Sequence, residues 1–179
     1  SASNLVVGAS SAYGIGLHIR GNMAANGVYG GTYDATTVPG VSATGINISG
    51  NGVRTTTING GIAIDRALTA TAYEANATAV HIGANTIIGN TPTATNASLI
   101  VRGALNAVSI SESASAGAYG VVVDAGASLP RITNDGSLIA QLSGEQGTAA
   151  AIIDNSNTLQ TITNYGALRI RLDTQGLAG

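Results

Sequence analysis

Ala118-Tyr-Gly-Val-Val-Val-Asp124 is matched further along by Thr148-Ala-Ala-Ala-Ile-Ile-Asp154, and Arg131-Ile-Thr-Asn-Asp-Gly136 by Thr161-Ile-Thr-Asn-Tyr-Gly166. Residues 118 and 148 are 30 apart, as are 131 and 161, so two separate landmarks agree on one period. A period of about 20 to 50 residues marks an array in which each repeat is one supersecondary unit. Weaker copies precede these: Ala12-Tyr-Gly-Ile-Gly-Leu17, Ala43-Thr-Gly-Ile-Asn-Ile48 and Ala77-Thr-Ala-Val-His-Ile82. Their starts are unevenly spaced, which a solenoid tolerates because a coil can carry extra residues at a corner without disturbing its neighbours. The pattern predicts about five coils of roughly 30 residues each.

Within a coil the apolar period is two, the periodicity of strands. The inward column of the first strand is predicted as Ile15 and Leu17, Ile46 and Ile48, Val80 and Ile82, Val121 and Val123, then Ala151 and Ile153. Gly16, Asn47, His81, Val122 and Ile152 then face out. Ile132 and Ile162 hold the inward position of the Ile-Thr-Asn strand. In the last coil Leu168, Ile170 and Leu172 point one way and Arg169 and Arg171 the other, since a slip of one residue would drive both arginines inside. Asn and Gly reach positive φ at little cost and so mark corners. They cut the coil between Val121 and Gly144 into three strands. The predicted fold is therefore all-β, a single right-handed parallel β-helix of triangular section spanning residues 1–179. Asn59, Asn96, Asn134 and Asn164 are predicted at equivalent corners, where stacked amides can bond along the axis. One coil cannot bury enough apolar surface to offset the entropy of ordering its own backbone, so the coils must stack.

Composition removes several function classes. Only 9% of the residues are charged, the net charge is −2, and all seven basic residues are arginines spread along the chain. With Tyr as the only aromatic, neither a basic stripe nor a stacking platform for nucleic acid is present. No stretch approaches the length of a spanning apolar helix, so no membrane insertion of this segment is expected. The absence of cysteine excludes disulfides and thiolate metal sites.

The residues from Ala118 onward, with Ala-Tyr-Gly-Val-Val-Val-Asp and the two Ile-Thr-Asn-x-Gly strands, resemble the passenger repeats of bacterial autotransporters. That resemblance implies a secreted β-helical stalk or adhesin on the outside of a Gram-negative outer membrane. It also implies a longer parent passenger, with the export barrel lying outside this segment. The expected partners are a second copy, through end coils or lateral faces, and host, cell-surface or polysaccharide ligands.

Parallel β-helices also include polysaccharide lyases, hydrolases and tailspikes, the alternative reading. Asp124 and Asp154 share a column in the 30-residue alignment, and two carboxylates on adjacent coils could serve a glycosidase or hold a cation. The plainer reading makes them solvated corner residues. His18 and His81 have no second ligand at metal-binding spacing in the sequence and are read as surface histidines. No catalytic or metal-binding residue is assigned, and no cofactor is expected. Outward Thr pairs, such as Thr161 and Thr163, raise an ice-ordering reading that Arg131 in the same array argues against. The segments 67–76 and 104–117 are read as loop insertions that serve either recognition or spacing.

Overall fold

The computed structural model describes residues 5–7, 15–27, 40–89, 98–112, 114–144 and 146–173. The chain visits four strand positions in a fixed order, which we label A, B, C and D. The first coil contributes β1 (Leu5–Val7), β2 (Leu17–Ile19), β3 (Met23–Asn26) and β4 (Ala43–Ile48). The second contributes β5 (Thr56–Ile58), β6 (Ile62–Ile64), β7 (Leu68–Tyr73) and β8 (Ala77–Ile82). The third contributes β9 (Thr86–Ile88), β10 (Leu99–Val101), β11 (Ala104–Ile110) and β12 (Gly117–Val123). Then come β13 (Arg131–Asn134), β14 (Ser137–Ser143) and β15 (Thr148–Asp154), and finally β16 (Thr161–Asn164) and β17 (Ala167–Asp173).

Strands of one position stack into one sheet: β1-β5-β9 in sheet A, β2-β6-β10-β13-β16 in B, β3-β7-β11-β14-β17 in C, and β4-β8-β12-β15 in D. Every pairing is parallel, so the molecule is a β-solenoid of about four turns with no helix among the described residues. The triangular section holds only toward the C-terminal end. There position A shrinks to one bridge, Ile87 to Ser128, whereas the earlier coils carry a true fourth strand.

Side-chain columns explain the stack. In sheet C, Leu68, Leu105 and Leu138 lie one above another, and Ala70, Ala107 and Ala140 form the next column. In sheet B the column is Leu17, Ile62, Leu99, Ile132 and Ile162, and in sheet D it is Ile46, Val80, Val121 and Ile152. Each stacked pair satisfies backbone groups in the ladder while it buries apolar surface against its own kind, which is why like residues recur. Val80, Ile82, Val121, Val123 and Ile132 are fully buried, Ile46 nearly so, and Ile48 packs half-buried against them.

Strands of sheet D break strict alternation. Ala79 and Val80 are both fully buried, and a Cβ on Gly45 or Gly120 would strike Leu68 or Leu138 respectively. Gly45 and Gly120, which share a column with Ala79 and Ala151, thus sit under leucines of sheet C, and the next residue also faces the core. Thr44 and Asn47, rather than residues two apart, consequently become successive outward positions.

Several expectations are corrected. The 30-residue offset holds in sheets B and C, but β15 sits on β12 with Val121 over Ile152 and Val123 over Asp154, an offset of 31. Ile152 therefore packs toward the core and Ile153 faces out, the reverse of the prediction. This register puts a large apolar residue on Val121 and avoids stacking Asp154 over Asp124, and it leaves one residue fewer in the following corner. Leu17 belongs to sheet B with Ile62, not to sheet D with Ile46, and Ile15 is exposed.

Ile162, Leu168, Ile170 and Leu172 continue the inward columns but are 42–65% exposed, because no described coil covers them. Their neighbours one coil below, Ile132, Leu138, Ala140 and Leu142, are at most 5% exposed. Segments 67–76 and 104–117 are not insertions: they contain β7 and β11, central strands of sheet C. Of the four corner asparagines, Asn134 and Asn164 stack in sheet B, and Asn134 Nδ2 donates to Asn164 Oδ1 at 2.7 Å. Asn134 is itself buried, standing above Ile64 and Val101 in an inward column. Asn59 precedes β6 and lies in another column; Asn96 falls outside the described residues.

Candidate functional site

The wide outward spacing in sheet D leaves an open groove of about 290 Å³ between two columns. One column is Thr44, Thr78, Tyr119 and Ala150; the other is Asn47, His81, Val122 and Ile153. Ser42 and Asn76, just ahead of β4 and β8, border it on one side, and Asn155 after β15 closes the far end. The lining is hydroxyl, amide, imidazole, one phenol and two aliphatic side chains, with no Arg, Asp or Glu.

Tyr119 is held by what Gly117 lacks. A Cβ on Gly117 would lie 2.2 Å from the Tyr119 hydroxyl oxygen and 2.4 Å from Cζ, so the ring leans back along the strand over Gly117. Only glycine leaves that space.

His81 is fixed between two coils. Its Nε2 meets Asp124 Oδ2 at 2.9 Å and its Nδ1 meets Asn47 Oδ1 at 3.0 Å. Both ring nitrogens are thus engaged, one by the Asp124 carboxylate and the other by the Asn47 side-chain amide.

A second polar cluster lies on the corner after sheet B. Arg20 Nε donates to His18 Nδ1 at 3.2 Å, which leaves the His18 Nε2–H to donate to Asp65 Oδ2 at 2.5 Å. Arg102 Nη1 reaches the other Asp65 oxygen at 3.1 Å. The His18 hydrogen bond, seconded by the hydrogen bond and the charge of Arg102, outweighs desolvation and holds the Asp65 carboxyl below its ordinary pKa of 3.8. Arg20, Asp65, Arg102 and Asp135 follow β2, β6, β10 and β13, so one corner carries alternating charge from coil to coil.

The histidines thus have carboxylate partners after all, 47 and 43 residues away in sequence, a distance no local motif could reveal. Asp124 and Asp154, by contrast, do not pair. Asp154 accepts from the backbone N–H of Ser156 and Leu159 at 2.9 and 3.1 Å and from the Ser156 hydroxyl, stabilising its own turn. Desolvation opposes its charge, but those bonds prevail and lower its pKa. Among the described residues no group of three His, Asp or Glu side chains is placed to hold a metal ion. The outward column of sheet B runs His18, Ala63, Ile100, Thr133 and Thr163, which leaves no flat threonine array there.

No family model matches the chain, and no curated protein or solved structure matches it at a significant level.

Proposed function

We propose that this chain is a structural and adhesive segment of an extracellular surface protein, a β-helical stalk that carries contacts between cells or between a cell and its substrate. One observation supports this above the rest: sheets B and C keep a residue-for-residue register through five strands each. Such a stack is a rod of adjustable length whose hydrogen bonds run along its axis, suited to projecting a surface and bearing load. The resemblance of the repeats to autotransporter passengers supplies the setting, the exterior of a Gram-negative outer membrane. The enzymatic alternative drew on an Asp124–Asp154 pair, and those carboxylates serve His81 and a turn instead.

Self-association belongs to this reading. The end coil presents Ile162, Leu168, Ile170 and Leu172 beside strands β15, β16 and β17, each paired on one side only among the described residues. Such an edge templates further pairing; in a longer passenger the following coil would take it, and for this segment on its own a second copy is the occupant we expect. Cells displaying the chain on an outer-membrane barrel should adhere or clump, and cells displaying the barrel alone should not. Equal adhesion by the two would overturn the proposal. Sedimentation should show a mass that rises with concentration. Ile170→Glu, which puts a charge in the middle of the exposed apolar row, should abolish the rise.

A further inference from the structure

We propose that the outer face of sheet D is a binding site for an uncharged oligosaccharide lying along the solenoid axis, with Tyr119 as its stacking platform. The proposal rests on the adhesive reading, which it deepens by naming the contact.

Backbone chemistry decides what kind of ligand this face can take. The strands β8 and β12 are paired on both sides, so their N–H and C=O groups are committed to the ladder. A peptide recognised by strand addition needs a free edge. A ligand on this face meets side chains alone, and most of the polar ones are hydroxyls and amides: Ser42, Thr44, Thr78, Asn76 and Asn155. Such groups exchange hydrogen bonds with ligand hydroxyls. No arginine, aspartate or glutamate lines the groove, and the ring nitrogens of His81 are already engaged by Asp124 and Asn47, so no free charge there repays the desolvation of a charged sugar.

Geometry narrows the class further. Tyr119, half-buried, lies back over Gly117 with the hydroxyl end of its ring nearest it, and this ring is the one aromatic surface in the groove that the C–H face of a pyranose can stack on. Gly117 is thus a positioning residue for that ring. Successive coils repeat every ~4.8 Å, close to the length of one pyranose, so neighbouring sugars of a chain meet equivalent positions on neighbouring coils. The groove, about 290 Å³, is at the small end for ligand sites. It fits one or two sugar units at millimolar affinity, raised by avidity when many copies face a polysaccharide.

The test is a titration of the whole chain, isotopically labelled for amide NMR, with neutral tetrasaccharides of glucose and of N-acetylglucosamine, and with tetragalacturonate as the charged contrast. Saturable shifts confined to β4, β8, β12 and β15 are expected with at least one neutral sugar. Tyr119→Ala should weaken binding about tenfold and Tyr119→Phe should leave it nearly unchanged. Gly117→Ala removes no ligand contact but displaces the ring, and should weaken binding in the same direction. Urea midpoints of all variants confirm that each is folded. Shifts elsewhere, no shifts with any neutral sugar, preference for tetragalacturonate, or indifference to Tyr119→Ala would each overturn the proposal. If displaying cells adhere as well with Tyr119→Ala as without it, this site falls and the adhesive reading stands. If the purified chain binds sugar but displaying cells do not adhere, the adhesive reading falls and the site stands.

Discussion

Leu105 offers the most direct measure of what holds the coils together. It is fully buried, with Leu68 below it and Leu138 above it, both also fully buried. Leu105→Ala empties the middle of that column. Its two neighbours are pinned by parallel ladders and cannot move in to fill the space, so the loss belongs in the upper half of the usual Leu→Ala range, about 3.5 to 5 kcal/mol. Leu168 stands at the end of the same column but is 42% exposed and has only Leu138 beneath it. Leu168→Ala should therefore cost only about 1 kcal/mol, a partial share of the burial of one leucine. Urea unfolding followed by far-ultraviolet circular dichroism measures both, and thermal scans should fall by roughly 7 to 20 °C for the first and under about 4 °C for the second. In a solenoid each coil contacts only its neighbours, so position along the axis must decide the cost. Equal destabilisation by the two substitutions, or less than about 1 kcal/mol for Leu105→Ala, would refute the stacking argument.

Acid should weaken the corner cluster. The folded pKa of Asp65 lies below its ordinary 3.8, so the native state binds fewer protons there than the unfolded chain. Its contribution is present above the unfolded value and is lost as pH falls through the lower folded one; Asp65→Asn should flatten that acid limb in a plot of urea midpoint against pH, and a superimposable limb would contradict the assignment. Asn134 donates to both Asn164 Oδ1 and the Ala167 carbonyl at 2.7 and 2.9 Å, yet stands in a column with Val101 and Ile64. Asn134→Ala should cost about 1 to 3 kcal/mol, and Asn134→Val markedly less, because a methyl-bearing side chain continues the column; the reverse order by denaturation would show that the amide bonds dominate. Gly120→Val would place its Cβ 2.3 Å from Leu138 Cδ2 and 2.4 Å from the Ala151 carbonyl oxygen. Since the second contact is backbone, hydrogen exchange should accelerate selectively in β12 and β15, and uniform protection would argue against the tight fit.

Much of the architecture is legible from residues alone. Ile132-Thr-Asn134 and Ile162-Thr-Asn164 repeat with their partner columns intact, and the structure stacks them residue on residue. The Leu-x-Ile-x-Leu of β17 alternates against Arg169 and Arg171 as two-residue periodicity requires, and all three strands of sheet C above Leu68 follow it. Sequence and structure part at connections and at similar small residues. Ala149, Ala150 and Ala151 look alike to any alignment, so a slip of one residue leaves no mark, and the extra corner residue between β12 and β13 decides it. β7 and β11 read as loops because Thr69, Thr71, Asn106 and Ser109 dilute their apolar pattern.

By itself the sequence determined that strands of like residues must stack in parallel at a period near 30, because recurrence at one spacing is a property of the chain order and needs no knowledge of distance. The tertiary structure alone decided which side chains meet across coils. His18 with Asp65, His81 with Asp124, and the groove between Thr78 and Val122 all join residues far apart in sequence. Their meeting depends on corner lengths, since each added or missing corner residue shifts one whole sheet relative to the next.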